Sequence, residues 1–262
     1  MPSPEQQPAW KSLSRLATDV GRMPVAELLT DEDRNTALRV SAPGLALDFS
    51  KQRLNREVLD ALVALAREQD LAGWRQRLFA GEAINDTENR PVLHTALRAR
   101  QGERPEFTDR AVAETLTRLY GFAEDVRSGR ARGWTGRPFT DVVHIGIGGS
   151  HLGPELAVEA LADGSGPRCH FVANVDGEAL TRALDGLDPD TTLVVVVSKS
   201  FSTLETRVNA LSARSWFLER TASVDALSKH FVAVSANVEA AGAFGIDPDR
   251  VYPMWDWVGG RF

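Results

Sequence analysis

The segment "VVVVSKSFSTLET" (194–206) places a buried-looking apolar run directly before four hydroxyls and an ammonium group. Ser198, Lys199, Ser200, Ser202 and Thr203, with Phe201 among them, fall where a strand gives way to a helix. Hydroxyls, backbone N–H groups and the positive end of a helix dipole together suit a phosphate monoester. Nothing in the segment suits an adenine or a pyrophosphate. Plain N-capping by Ser202 or Thr203, with Glu205 at a capping-box offset, accounts for one hydroxyl but not for four and a lysine.

A second candidate lies upstream in "VVHIGIGGSHLGPELAVEAL" (142–161), where a strand runs into a glycine-rich turn and then a helix. Its glycines stand at 146, 148, 149 and 153. A dinucleotide fingerprint needs its third glycine at 151, which is His151, although Asp176 could serve as the ribose-binding acid. No Gly-Lys-Ser/Thr follows, which excludes a Walker A loop. A turn that only packs helix on strand remains the plain alternative. The third candidate is "VYPMWDWVGGRF" (251–262): Arg261, after two glycines, is free to reach a cleft, where a guanidinium suits oxyanion or phosphate charge. Core packing and a simple turn explain the same residues.

The remaining chemistry-bearing residues give little. His94 lies on an apolar-rich helical pattern and reads as a satisfied structural residue, His144 sits inside a strand, and His170 and His230 begin strands. No His/Asp/Glu spacing suggests a metal site, and no G-x-S-x-G elbow is present. The single cysteine, Cys169 in "CHFVANV", excludes an intramolecular disulfide and is expected as a buried thiol.

The elements that must position these loops divide at about residue 140. Residues 1–140 are expected to be helical and irregular. Asp31 or Asp33 would cap one helix, Val58, Leu59, Leu62, Val63, Leu65 and Ala66 line another with Gly73 as its breaker, and Thr108 or Asp109 would cap a third. The Gly- and Arg-rich stretch 129–141 marks the boundary. From Asp141 onward, the apolar runs VVHIGI, CHFVANV, TTLVVVV and HFVAVSA alternate with helical patterns. This predicts βαβ units and a parallel sheet covered on both faces.

Composition sets the outer limits. The 262 residues are 43% hydrophobic and 25% charged, the balance of an ordinary globular protein. Net charge is −6 and there is no basic tract, so a nucleic-acid partner is not expected. Lysine occurs only at 11, 51, 199 and 229, which makes Lys199 inside a motif more telling. The N-terminus lacks a basic region followed by an apolar core, and no apolar run approaches the ~20 residues of a membrane span. A soluble, cytoplasmic protein is expected.

With these segments laid out, the sequence resembles the glucose-6-phosphate isomerase family. "TENRPVLHTALR", "VVHIGIGGSHLGPELAVEAL", "VVVVSKSFSTLET" and "WDWVGGRF" occur in the family's order, and with "FVANVDG" and "FVAVSAN" they cover the chain from about residue 85 onward. The resemblance implies a three-layer sugar-isomerase (SIS) α/β sandwich. It also implies interconversion of glucose 6-phosphate and fructose 6-phosphate in glycolysis and gluconeogenesis, no metal or organic cofactor, and a homodimer for the full-length family.

Residue by residue, the resemblance puts substrate contacts on Gly149 and Ser150 and the phosphate loop on Ser198 to Thr203. Within that loop, Ser198, Lys199, Ser200 and Thr203 are the direct contacts. Arg261 matches the arginine that stabilises the enediolate-like intermediate. The family's base glutamate, ring-opening histidine and late lysine lie beyond the Gly-Gly-Arg turn. The chain is therefore expected to be the family's N-terminal half, inactive alone: a helical region at 1–140, the first sugar-isomerase domain at 141–262 and no second one. Two other readings stay open at this point, a non-catalytic sugar-phosphate-binding module and an NAD(P)-dependent Rossmann dehydrogenase.

Overall fold

The computed structural model describes residues 3–221 and 223–259. The chain forms two compact units, Met1–Ala80 and Gly81–Phe262, so residues 81–140 belong with the sheet and not with the first unit's helices.

In the first unit, α1 (Pro8–Val20) packs against α3 (Arg56–Glu68). Between them come α2 (Glu32–Ala37) and a hairpin of β1 (Arg39–Ala42) and β2 (Leu45–Asp48). Asp31, one of the two caps expected, accepts from the Arg34 amide at 2.9 Å and starts α2. Asn55 caps α3 in the same way through Val58. The hairpin departs from the helical expectation. Its two-residue turn is Pro43-Gly44, with Gly44 at φ +75°, and it pairs Val40 with Leu47 and Ala42 with Leu45. Proline followed by a left-handed glycine is a turn signal that outweighs the helical texture around it.

Gly73 is not the breaker expected of it. The chain breaks at Asp70, which takes φ +49°, and α4 (Leu71–Ala80) then runs through Gly73. The Asp70 carboxylate accepts from the Gly73 amide at 3.1 Å, and a Cβ at 73 would lie 2.2 Å from that carboxylate. The glycine is there to admit a cap.

Arg34 organises this unit. Its buried guanidinium donates to the main-chain carbonyls of Leu28, Ser50, Gln52 and Leu54 and to the Asn35 side chain. One cation thus satisfies an irregular stretch that has no ladder of its own.

In the second unit, a short helical turn at His94–Leu97 precedes α5 (Glu106–Arg127), which follows Pro105. Thr108 and Asp109, expected as caps, lie inside its first turn. Thr108 donates to the Pro105 carbonyl at 2.8 Å, while Asp109 accepts from Arg104 and the Gly102 amide. There follow β3 (Asp141–Ile145), α6 (Leu152–Leu161), β4 (Arg168–Val172), α7 (Gly177–Leu184), β5 (Thr192–Val197), α8 (Leu204–Thr221), β6 (Phe231–Ser235), α9 (Val238–Phe244) and β7 (Val251–Pro253). The five strands form one parallel sheet in the order β4-β3-β5-β6-β7. The short strand β7 is the one not foreseen.

Because side chains alternate along each strand, the two sheet faces make separate cores. Val143, Ile145, Val194, Val196, Phe231 and Ala233 pack with Leu180, Leu184, Ala213 and Phe217 of α7 and α8. Val142, Leu193, Val195, Val232 and Val234 pack with Leu119, Phe122 and Val126 of α5. This is the three-layer α/β architecture expected. Cys169 differs from expectation: it lies exposed on β4, at the sheet edge. Apolar side chains also stand exposed on α6 (Leu152, Leu156, Leu161) and α8 (Leu204, Val208, Leu211).

Replacing Arg34 by Leu strands several buried carbonyls, at roughly 1–3 kcal/mol for each group left unpaired. Urea denaturation followed through Trp10 and Trp74 fluorescence is expected to show a clear loss of stability. Arg39→Ala, which removes an exposed pair with Asp48, is expected to leave the midpoint unchanged.

Candidate functional site at the carboxyl ends of β3 and β5

From β3 the chain crosses to β4 on one side, while β5 sits on β3's other side. The connections leaving the carboxyl ends of β3 and β5 therefore diverge. The gap between them is where an open α/β sheet accommodates a ligand. Both sequence candidates fall there: residues 146–150 follow β3, and residues 198–203 follow β5.

The glycine turn is fixed from beneath. Gly148 takes φ +61°, and a Cβ on Gly146 would lie 2.6 Å from the Ser150 carbonyl oxygen, so both positions require glycine. The same Ser150 carbonyl accepts from Nε2 of His144 at 2.7 Å, which assigns the Nε2–H tautomer. Burial depresses the His144 pKa, against the opposing pull of the Ser150 carbonyl. A neutral imidazole inside the strand thus holds the turn that presents exposed Gly149 and half-buried Ser150 just before α6.

The hydroxyl loop is anchored on both flanks. The Ser198 amide continues the ladder to the Val234 carbonyl, and the Lys199 carbonyl accepts from the Ala236 amide at 2.9 Å and from Ser235 Oγ at 3.1 Å. Asn237 reaches the Ser200 carbonyl. At its centre Phe201 adopts φ +55°, unusual for a residue with a side chain, and packs its half-buried ring against half-buried Phe244 at the edge of the core. Its side chain faces inward while its neighbours face out. Ser202 Oγ donates to Ser200 Oγ at 2.7 Å, and Ser198 Oγ lies 3.5 Å from Thr203 Oγ1. The Thr203 carbonyl accepts the Arg207 amide as α8 begins. The hydroxyls bond among themselves, next to a helix start whose first amides have no partner within the helix.

Lys199 extends across to the segment after β7. Its Nζ donates to the Asp256 carbonyl at 2.9 Å, and Arg90 Nη1 donates to the same carbonyl at 3.2 Å. Burial first, and then the neighbouring Arg90 charge, depress the Lys199 pKa. Arg90 is also paired with Glu88. Trp255 and Trp257 stack at 4.8 Å with ring planes 6° apart, and Trp257 and Val258 pack with Leu93, Ala96 and Val112. The segments 87–98, 198–203 and 254–259 are thereby tied together. Arg261 lies outside the described residues. Asp176, the acid a dinucleotide reading needs, is occupied in capping α7 through the Glu178 amide at 3.0 Å.

Arg90, Ser235 and Asn237 escaped the sequence reading, although all three lie inside motifs it used, "TENRPVLHTALR" and "FVAVSAN". A signal was available in polar residues placed at the ends of a buried strand and a helical turn. His94, expected as a satisfied structural residue, accepts the Gly259 amide at 3.0 Å. Among the described residues no group of three or more His, Cys, Asp or Glu side chains could hold a metal ion, and no helix is long and apolar enough to cross a membrane.

Fold and site together define an open parallel α/β protein with two polar loops at the carboxyl ends of adjacent strands, at its topological switch point. The family profile described as phosphoglucose isomerase matches residues 48–262, and the chain belongs to that family. It is 48% identical over 264 residues to a glucose-6-phosphate isomerase of Shewanella baltica (strain OS223), covering 98% of this chain and 48% of that protein. To glucose-6-phosphate isomerase 2 of Cupriavidus pinatubonensis it is 48% identical, covering 97% and 48%. Among solved structures, a glucose-6-phosphate isomerase from Chlamydia trachomatis superposes with a TM-score of 0.76 at 30% identity, over 98% of this chain and 49% of that one. The chain thus spans about half the length of the curated relatives it matches.

His230 is the second buried imidazole of this unit. Its Nδ1 lies 2.8 Å from the Thr192 carbonyl and its Nε2 accepts the Trp134 amide at 2.9 Å, and burial depresses its pKa against the pull of Thr192. His144 and His230 both take up a proton more readily unfolded than folded. The stability they contribute is complete above about pH 6.5, the ordinary imidazole value, and is lost as pH falls from there towards their folded values. Thermal unfolding between pH 7.5 and 5.5 is expected to show a falling midpoint, with a shallower slope in His144→Asn. In the same assay Gly146→Ala is expected to lower the midpoint at every pH, because its Cβ displaces the Ser150 carbonyl.

Proposed function

We propose that the chain carries the phosphate-gripping and intermediate-stabilising part of an isomerase that interconverts glucose 6-phosphate and fructose 6-phosphate. The observation carrying this reading is the placement of the hydroxyl loop beside the glycine turn, with Lys199 linking that loop to the segment leading into Arg261. Ser198, Lys199, Ser200, Ser202 and Thr203 would receive the phosphate. The main chain at Phe201 shapes their loop, and Gly149 and Ser150 would approach the sugar. Arg261 would stabilise the enediolate oxyanion.

Isomerisation moves a proton between C1 and C2. It needs a carboxylate base within ~3 Å of that proton and an acid to open the ring. Glu155, in the helix after the glycine turn, is engaged with His151 at 3.0 Å, and Glu88 with Arg90, so this reading assigns the base and the ring-opening acid to other residues. On this reading, residues 141–262 form the first of two sugar-isomerase domains, the proton-transfer groups belong to the family's second half, and the 262-residue chain does not turn substrate over alone. The full-length protein would act as a cytoplasmic homodimer in glycolysis and gluconeogenesis. No step in this chemistry calls for a metal or organic cofactor.

Calorimetric titration tests the reading. Fructose 6-phosphate is expected to bind and NAD is not. Lys199→Ala should weaken binding about tenfold or more, as loss of a charge-assisted hydrogen bond of roughly 1.5–3 kcal/mol implies, and Ser200→Ala by less. Binding of NAD without fructose 6-phosphate would overturn the reading, and isomerase turnover by the chain alone would overturn the division of labour.

A further inference from the structure

The geometry points to Ser235 as the positioning residue of Lys199, fixing both the main chain that carries this lysine and the carbonyl on which its ammonium rests. The inference rests on the phosphosugar reading only for what the ammonium then meets.

Ser235 closes β6 and is fully buried. Its Oγ lies 3.0 Å from the Asn237 amide nitrogen and 3.1 Å from the Lys199 carbonyl oxygen. A main-chain N–H can only donate, and a carbonyl can only accept. The hydroxyl therefore accepts from Asn237 and gives its single proton to Lys199. The Ala236 amide donates to the same carbonyl at 2.9 Å. Asn237 Nδ2 donates to the Ser200 carbonyl at 3.3 Å, while its Oδ1 caps α9 through the Ala240 amide. Three consecutive residues thus hold two consecutive carbonyls of the hydroxyl loop.

The main chain of Ser235 works in another direction. Its carbonyl accepts the Met254 amide at 2.9 Å, tying down the chain as it leaves β7. Asp256 follows two residues later, and the next carbonyl, that of Trp257, accepts the Leu93 amide at 3.0 Å. The Asp256 carbonyl, which accepts Lys199 Nζ at 2.9 Å, is therefore held from both sides.

Both ends of the Lys199 side chain consequently refer back to one residue. A lysine is a point charge on a flexible four-carbon stem, and without such anchors its ammonium samples a wide volume. Here the base is set by the Ser235 hydroxyl and the tip by the carbonyl that the Met254 tie helps to place. One of the three ammonium N–H groups is spent on Asp256, and the others keep defined directions. Glu88, Arg90 and Asp256 are the charged groups around this ammonium, and Arg90 is paired with Glu88. Ser235 touches no ligand and acts through Lys199.

Two variants test this. Ser235→Ala removes the hydroxyl and keeps the main-chain bonds, and Ser235→Cys fills the same place with a poor donor, so either serves if the other folds badly. Lysine occurs only at 11, 51, 199 and 229, so the ε-carbon signal of Lys199 can be assigned by NMR and followed through its titration. In the parent chain burial, and then the Arg90 charge, hold that titration below the ordinary lysine value. In both variants it is expected to move up towards that value as the ammonium leaves its half-buried place.

Fructose 6-phosphate binding to the whole 262-residue chain is expected to weaken about fivefold in each variant, as loss of one hydrogen bond implies. In a Lys199→Ala background the same substitutions should add less than about twofold, because residues that act through one another are not additive. An undiminished loss in that background overturns the inference, as does an unchanged Lys199 titration in both Ser235 variants. If the parent chain does not bind fructose 6-phosphate, it is the phosphosugar reading that fails, and the titration still decides whether Ser235 places the ammonium.

Discussion

Parallel pairing of β3 with both β4 and β5 is the constraint from which the site follows. A parallel neighbour can be reached only by a crossover, and two crossovers leaving adjacent strands in opposite directions cannot fill the space above them. The glycine turn and the hydroxyl loop both border that gap. The apolar strands that enforce the pairing carry no chemistry of their own, yet they bring two loops fifty residues apart in sequence to adjacent strand ends.

Around the gap the structure relies on main-chain carbonyls as fixed points. The Ser150 carbonyl is held by His144, the Lys199 carbonyl by Ser235 and Ala236, and the Asp256 carbonyl by Lys199 and Arg90 together. Each is a strong acceptor whose position is set by the backbone, so each transfers the rigidity of the sheet to a loop. Arg90 also faces the Asp256 carboxylate at 3.5 Å and pairs with Glu88, so its charge is answered there. The Lys199 ammonium keeps further donors not spent on Asp256, consistent with the role proposed for it.

Much of this was legible before any coordinates. Four of the five strands, the helices between them and both loops follow from short β-branched runs that end in glycines or hydroxyls. What escaped did so for identifiable physical reasons. Strand β7 is three residues long and ends at Pro253, too brief for a pattern. The first unit's hairpin was signalled by Pro43-Gly44 but sat among helical segments, and its strands bury no face. Gly73 and Thr108 looked like punctuation, whereas a carboxylate and a carbonyl nearby had already assigned them other work. Cys169 follows the apolar pattern of its strand, and no periodicity reveals that the strand lies at an edge. The tie between His94 and Gly259 joins opposite ends of the unit, and no local reading could pair them.

Phe201 has a consequence of a different kind. A side chain packed against the core while its own backbone takes a left-handed turn leaves the loop few alternative shapes. The ordering of Ser198 to Thr203 is therefore accomplished during folding, by burial of one aromatic ring against Phe244. A ligand meeting that loop encounters a surface whose entropy has already been surrendered, and little of its contact energy is diverted into organising the protein.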